Sequence, residues 1–284
     1  MYLQPECKPC LIKQAESTAR LSGANDELIA KICKEATSIV DTAPPRITAP
    51  ELAATIFGKI REYTGVLDPF IEIKEKSLEG ALSIYPEIAK KVEAAKDTLR
   101  ASLVASAVGN VIDFGVPGLS FSPQSIVDEY ESLTFEIDDY EQLKDELSKA
   151  KKILFVADNA GEIVLDRLFL EWMKANLEAE VVFAVRGGPV INDAILKDAM
   201  DSGIFELAEI IDTGLAIPGA VLKLASDSFM KVYNESDLVI SKGQGNFEVL
   251  EGEDKNIFFI LKAKCDVIAK CLSVKLGSLV MKKN

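Results

Sequence analysis

An apolar run, Ile153-Leu154-Phe155-Val156-Ala157, stops on Asp158-Asn159-Ala160-Gly161-Glu162. Five apolar residues make a strand buried on both faces, and in an open parallel sheet ligands sit beyond the carboxyl ends of such strands. Asp158 and Asn159 are therefore expected to face a cleft. The chain has no histidine, which excludes Ser-His and Cys-His nucleophile pairs and histidine-ligated zinc. Acid-base work falls to carboxylates, lysine or metal-bound water. Adjacent carboxylate and carboxamide oxygens then suit a hard divalent cation such as Mg²⁺ or Mn²⁺.

Two further clusters follow strand-like runs. Arg186-Gly187-Gly188-Pro189-Val190-Ile191-Asn192-Asp193 offers a guanidinium fork that either grips a phosphate or carboxylate or pairs at the surface. Asp193, near a helix start, either caps that helix or joins Asp158. Lys242-Gly243-Gln244-Gly245-Asn246 sets a cation and two glycines after a strand, as a cradle for a phosphate or as a plain turn. It has neither the Walker nor the dinucleotide spacing. In Gly109-Asn110-Val111-Ile112-Asp113-Phe114-Gly115, Asn110 and Asp113 share a helix face within an apolar stretch, either as a structural network or as a roof over the site. Asp68-Pro69-Phe70, followed by Lys74, reads as a turn into a helix.

The elements that must hold these residues differ between the two halves. Apolar spacing of three and four predicts helices over Leu11 to Leu21, Glu27 to Val40, Pro50 to Tyr63 and Ile88 to Val111. From Lys152 onward, β-rich runs at Ile153 to Ala157, Val181 to Val185, Glu209 to Asp212, Asp237 to Ser241 and Ile257 to Lys262 alternate with helix-length segments. That rhythm predicts right-handed βαβ units and a parallel sheet. The expected organisation is a helical N-terminal domain over residues 1–150, roofing the site, and an α/β metal- and phosphate-binding domain over 151–284. The acidic segment from Asp128 to Glu146 reads as a solvated helix and connector.

Composition narrows the function classes. A net charge of -13 over 284 residues argues against a nucleic-acid binder, which needs surplus lysine and arginine. Without a secretory leader or an apolar run of the ~18 to 20 residues that a membrane span needs, the expectation is a cytoplasmic protein with no membrane partner. Five cysteines do not describe a disulfide framework. Cys7-x-x-Cys10 reads as half of a metal site, a redox pair, or reduced thiols at a helix start.

The set formed by Cys7-x-x-Cys10, Gly109-Asn110 with Asp113, Asp158-Asn159-Ala160-Gly161-Glu162, Arg186-Gly187 with Asn192-Asp193, and Lys242-Gly243-x-Gly245-Asn246 resembles the metal-dependent damage-control phosphatases. This family was earlier labelled domain of unknown function 89 and includes the ARMT-like proteins. The resemblance runs in order along essentially the whole chain, and the C-x-x-C resembles the subfamily typical of prokaryotes. It implies a Rossmann-like three-layer core, a divalent metal held by Asp158, Asn159 and Asp193, and Lys242 against a phosphate. It also implies hydrolysis of small phosphorylated metabolites such as sugar phosphates or damaged cofactor precursors.

The mechanism expected from these residues has Mg²⁺, Mn²⁺, Co²⁺ or Ni²⁺ activating a water. Lys242 and Arg186, with Asn110, Asn246 and the amides of Gly243 and Gly245, meet the substrate, and Asp113 or Glu162 orients the water. Two alternatives stand beside it. A haloacid-dehalogenase-type phosphatase would use Asp158 as a nucleophile, but it normally carries an acidic residue two positions on, where this chain has Ala160. A phosphometabolite sensor would have the same pocket and no turnover. Substrate, native metal and oligomeric state are not legible in the sequence.

Overall fold

The computed structural model describes residues 1–109 and 123–284. Their elements are α1 (Cys7–Leu21), α2 (Asp26–Asp41), α3 (Ala49–Thr64), α4 (Ile71–Ala94), α5 (Thr98–Gly109), α6 (Pro123–Glu129), β1 (Phe135–Asp138), α7 (Tyr140–Lys149), β2 (Lys152–Val156), α8 (Glu162–Asn176), β3 (Glu180–Val185), α9 (Leu196–Asp201), β4 (Glu209–Asp212), α10 (Asp227–Glu235), β5 (Leu238–Lys242), α11 (Gln244–Leu250), β6 (Ile257–Lys262), α12 (Asp266–Leu272) and β7 (Leu279–Lys283).

The strands form one seven-stranded sheet in the order β1-β7-β6-β5-β2-β3-β4. All neighbours run parallel except β6 and β7. From β2 the chain winds outward through β3 and β4, then returns to β5 on the other side of β2 and winds the opposite way. The fork between β2 and β5 is thus the switch point, where the two crossovers diverge and leave a crevice at the carboxyl ends.

Alternation along the central strands builds two cores. Ile153 and Phe155 of β2, Phe183 of β3 and Ile240 of β5 face one layer with Phe169 and Met173 of α8. Leu154, Val156 and Val239 face the other, with Phe229 of α10, Phe247 of α11 and Ile268 of α12. Burying each such side chain contributes about 1.5–3 kcal/mol. Parallel strands covered on both faces explain why the sequence reads as unbroken apolar runs.

The N-terminal helices form two packs. In the first, α1, α2 and α3 share a core of Ala15, Ile32, Ile56 and Ile60, closed by Val190 from the segment after β3. Reciprocal bonds between Thr48 and Glu51 fix the start of α3. In the second, Ile84 and Ile88 of α4, Ala105 and Val108 of α5 and Ile126 of α6 pack on Val164 and Leu168 of α8.

Two expectations need correction. The helix expected from Ile88 to Val111 is divided between α4 and α5: Ala95 is extended, and Asp97 Oδ1 accepts from the Arg100 amide at 3.0 Å, opening a new helix. Val111 lies outside the described residues. The acidic segment expected as helix and connector contains β1, which pairs with β7, and α7, whose Tyr140, Leu143 and Leu147 are buried on the sheet. Among the described residues no helix is long and apolar enough to cross a membrane.

Candidate active site

The chain leaves β2 at the fork and turns through Asp158 and Asn159 into α8. The segment after β3 is strapped beside it by backbone bonds: Ala194 N to Asp158 O at 2.7 Å, Ala160 N to Asn192 O at 2.9 Å, and Arg186 N to Ala194 O at 2.9 Å. Asp193 is thereby brought beside Asn159. It does not cap α9, which starts after Ile195 and whose own Asp198 accepts from the Ile195 amide at 2.9 Å.

Asp158 and Asn159 keep 8% of their surface and Asp193 keeps 1%. Burial, then the negative charges of Asp193 and Glu162, push the Asp158 carboxyl up to about 8. Burial also raises Asp193, although Arg186 draws it back. Arg186 is itself buried, with Nε donating to Asp193 Oδ2 at 2.6 Å and Nη2 lying 3.8 Å from Asp158 Oδ1. Its Nη1 and Nη2 are buried without a hydrogen-bond partner.

The donor set fits a divalent cation by its chemistry. Asp158, Asn159 and Asp193 offer hard oxygens, and a cation would offset the burial of negative charge that raises both carboxyls and the repulsion that Asp193 exerts on Asp158. It is a set of two carboxylates and a carboxamide. Among the described residues no three Cys, Asp or Glu side chains converge as a cation site. The orphaned guanidinium donors beside them suit an anion's oxygens.

Lys242, expected against a phosphate, is instead fully buried at the end of β5. Its Nζ donates to Glu162 Oε1 at 2.5 Å, Asp166 Oδ1 at 2.6 Å and the Ser106 carbonyl at 2.9 Å, which uses all three donors of an ammonium. Burial works against its charge, but Asp166 and Glu162 outweigh it and the pKa lies above the ordinary lysine value. Burial pushes Asp166 up to about 6 even with Lys242 alongside.

Asn246, expected on the substrate, braces backbone: its Nδ2 donates to the carbonyls of Ala157 and Lys242 at 3.0 and 2.7 Å, and its Oδ1 accepts from the Ala220 amide at 2.9 Å. Gly245 packs where a Cβ would stand 2.5 Å from the Pro218 carbonyl. Gly243 adjoins the cleft, under Asp158. Glu162, at the start of α8, accepts from Asn159 Nδ2 at 3.3 Å, and α5 ends against it. Asn110 and Asp113, the expected roof residues, lie outside the described residues. Lys74 is buried between Asp68 at 2.8 Å and Asp198 at 3.3 Å, an ion cluster joining α4 to α9.

Sequence reasoning passed over Lys264. It is exposed just beyond β6, and against the effect of burial its charge draws down the carboxyls of both Asp158 and Asp193. Lys264 follows the run Ile257 to Lys262, so the strand-end rule that found Asp158 also points here.

Fold and site together define a Rossmann-like α/β protein with an acidic, arginine-backed cluster at its switch point. Residues 3–280 match the family model described as the damage-control phosphatase ARMT1-like domain. The chain belongs to that family. It is 36% identical over 289 residues to "Damage-control phosphatase PH1575" of Pyrococcus horikoshii, covering 100% of this chain and 99% of that protein. It is 32% identical over 288 residues to a protein of Archaeoglobus fulgidus named "Damage-control phosphatase", with 99% of each covered. The crystal structure of the DUF89 family protein PH1575, at 2.04 Å resolution, matches with a TM-score of 0.90 at 34% identity, over 100% of this chain and 99% of that one.

Proposed function

We propose that this protein is a metal-dependent phosphoric monoester hydrolase acting on small phosphorylated metabolites, sugar phosphates or damaged phosphometabolites among them. One observation carries the reading. Two carboxyls raised chiefly by burial stand beside a buried arginine with two unsatisfied donors, in a chain whose family is one of phosphatases.

Asp158, Asn159 and Asp193 would hold the cation, drawn from Mg²⁺, Mn²⁺, Co²⁺ and Ni²⁺ because every donor is an oxygen. When bound, it supplies Lewis acidity toward a phosphoryl oxygen and acidifies water. Arg186 turns its unsatisfied N–H donors to the phosphoryl oxygens while its Nε keeps Asp193 in place. Lys264 adds the second positive charge from the cleft's exposed side. Lys242 acts from below, as the cation that holds Glu162.

The roles divide along the chain. The helices within residues 1–150 roof the cleft and residues 151–284 carry the ionic groups, with β1 and α7 the part of the first segment taken into the sheet. Five free cysteines support a reducing compartment such as the cytoplasm.

A generic aryl phosphate, assayed after chelation and again with each cation restored, tests the reading. Turnover is expected with added cation alone, and a panel of sugar phosphates and nucleotides then ranks substrates. Full turnover in chelated protein would defeat the metal role. Phosphate-ester binding with no turnover under any cation would make the protein a sensor.

A further inference from the structure

Asp166 lies one helical turn beyond Glu162 on α8, and both carboxylates are fully buried. Lys242 bridges them through its two shortest bonds. Ser106 of α5 adds a second hold on Asp166, its Oγ donating to Oδ1 at 2.6 Å. On the other side of Glu162, Oε2 accepts from Asn159 Nδ2, and the same nitrogen donates to Asp158 Oδ2 at 3.0 Å. An unbroken chain therefore runs Ser106, Asp166, Lys242, Glu162, Asn159, from a roof helix to the cleft.

Taking an ammonium and two carboxylates out of water is costly, and apolar side chains of similar volume often hold such a layer as well or better. What apolar groups cannot do is orient a polar one, and a polar group that must be oriented stands at the end of this chain. A carboxamide has a donor side and an acceptor side. Asn159 gives its donor side to two carboxylates, which turns Oδ1 away from both. If Glu162 shifts, half of that restraint is lost, and a rotated amide offers hydrogen where oxygen is needed.

We propose that Asp166 is a positioning residue: through Lys242 it fixes Glu162, and through Glu162 it sets the Asn159 amide with its oxygen presented to the cation. The proposal rests on the metal-binding role of Asp158, Asn159 and Asp193 given above. Groups behind metal ligands typically change metal affinity or activity by about 10- to 100-fold.

The test is calorimetric titration of Mn²⁺ into the chelated, full-length protein, arranged as a double-mutant cycle. Asp166→Asn keeps size and an acceptor but removes the charge that holds Lys242, and is expected to weaken Mn²⁺ binding about tenfold. In a Glu162→Gln background the same change is expected to alter affinity by less than about twofold, because the link is already cut. Wild-type Mn²⁺ affinity in folded Asp166→Asn overturns the proposal, and so do equal, additive losses in the two backgrounds.

If Asp166→Asn does not fold, Ser106→Ala decides. Its expected loss is about threefold with Glu162 present and none with Glu162→Gln, and no loss in either overturns the proposal. A wild-type protein that binds no Mn²⁺ defeats the metal reading and this proposal together. Wild-type binding with an unresponsive Asp166 defeats this proposal alone.

Discussion

Gly243 passes so close to Asp158 that a Cβ added to it would fall 2.0 Å from the carboxylate Oδ2, and its φ of +80° lies in the left-handed region that glycine adopts most readily. Gly243→Ala is expected to displace the carboxylate, lowering kcat/KM by about 100-fold, and to cost about 1–3 kcal/mol of stability. Aryl phosphate kinetics and urea unfolding measure the two effects. Activity within tenfold of wild type would mean that Asp158 does not work from this position.

The two lysines near the cleft should separate cleanly. Lys264→Ala is expected to lower kcat/KM by about 10²- to 10³-fold, as loss of one transition-state donor does, with Mn²⁺ affinity and melting temperature close to wild type. Lys242→Ala leaves two buried carboxylates without their cation and is expected to cost about 3–5 kcal/mol of stability. A stable Lys242→Ala protein that has lost only turnover would reverse the assignment.

Asp193 carries two duties, so its removal should be visible without substrate. Asp193→Ala strands the buried Arg186 and is expected to destabilise the protein by about 3–5 kcal/mol. Asp193→Asn keeps an acceptor for Arg186 Nε and should cost less. Both should abolish detectable Mn²⁺ binding. Calorimetry showing unchanged affinity in Asp193→Asn would remove Asp193 from the ligand set.

Glu248 supplies a pH dependence of stability. Burial pushes its carboxyl up to about 7 from an ordinary 4.5. The native state therefore holds a proton that the unfolded chain releases. Its stability contribution is full below about pH 4.5, falls as pH rises through the window to about 7, and totals about 3 kcal/mol. Glu248→Gln cannot ionise and should flatten that part of the profile. Urea midpoints for both proteins at half-unit pH steps measure it, and parallel profiles would show that Glu248 titrates normally.

The thiols of Cys7 and Cys10 have pKa values raised by burial, which makes them poor nucleophiles. Replacing both by serine is expected to leave bound cation and turnover largely intact, at a cost of at most ~1–3 kcal/mol. Turnover that differs between reducing and oxidising buffer in the wild type, and not in the double variant, would make this pair a redox element.

The sheet was legible because strands covered on both faces must be apolar end to end, and the run before Asp158 could be nothing shorter than a buried strand. β1 and β7 escaped because they lie at or near the margin, where Glu136 and Asp138 are exposed, Lys282 is half-buried and the pattern blurs. Asp158, Asn159, Asp193 and Arg186 were singled out by strand-end position, and the structure brings them together. Lys242 occupied the right position but faces inward to Glu162 and Asp166, since residue type at a strand end does not reveal which side of the sheet a side chain takes. Asp166 and Ser106 were invisible for a related reason: their importance is set by what they touch across 60 residues of sequence, and helix periodicity reads them as core filler.

Val190 closes the core of the α1–α3 bundle at 3% exposure, although it is translated long after α3 ends at Thr64. At about 5–20 residues per second, Val190 is synthesised roughly 6–25 seconds after those helices. During synthesis the N-terminal bundle therefore lacks one of its buried side chains until the segment that also carries Asp193 arrives. Closure of that core is tied to the arrival of the α/β half, and a nascent chain arrested before residue 190 should be cut by protease within α1–α3 faster than the full-length protein.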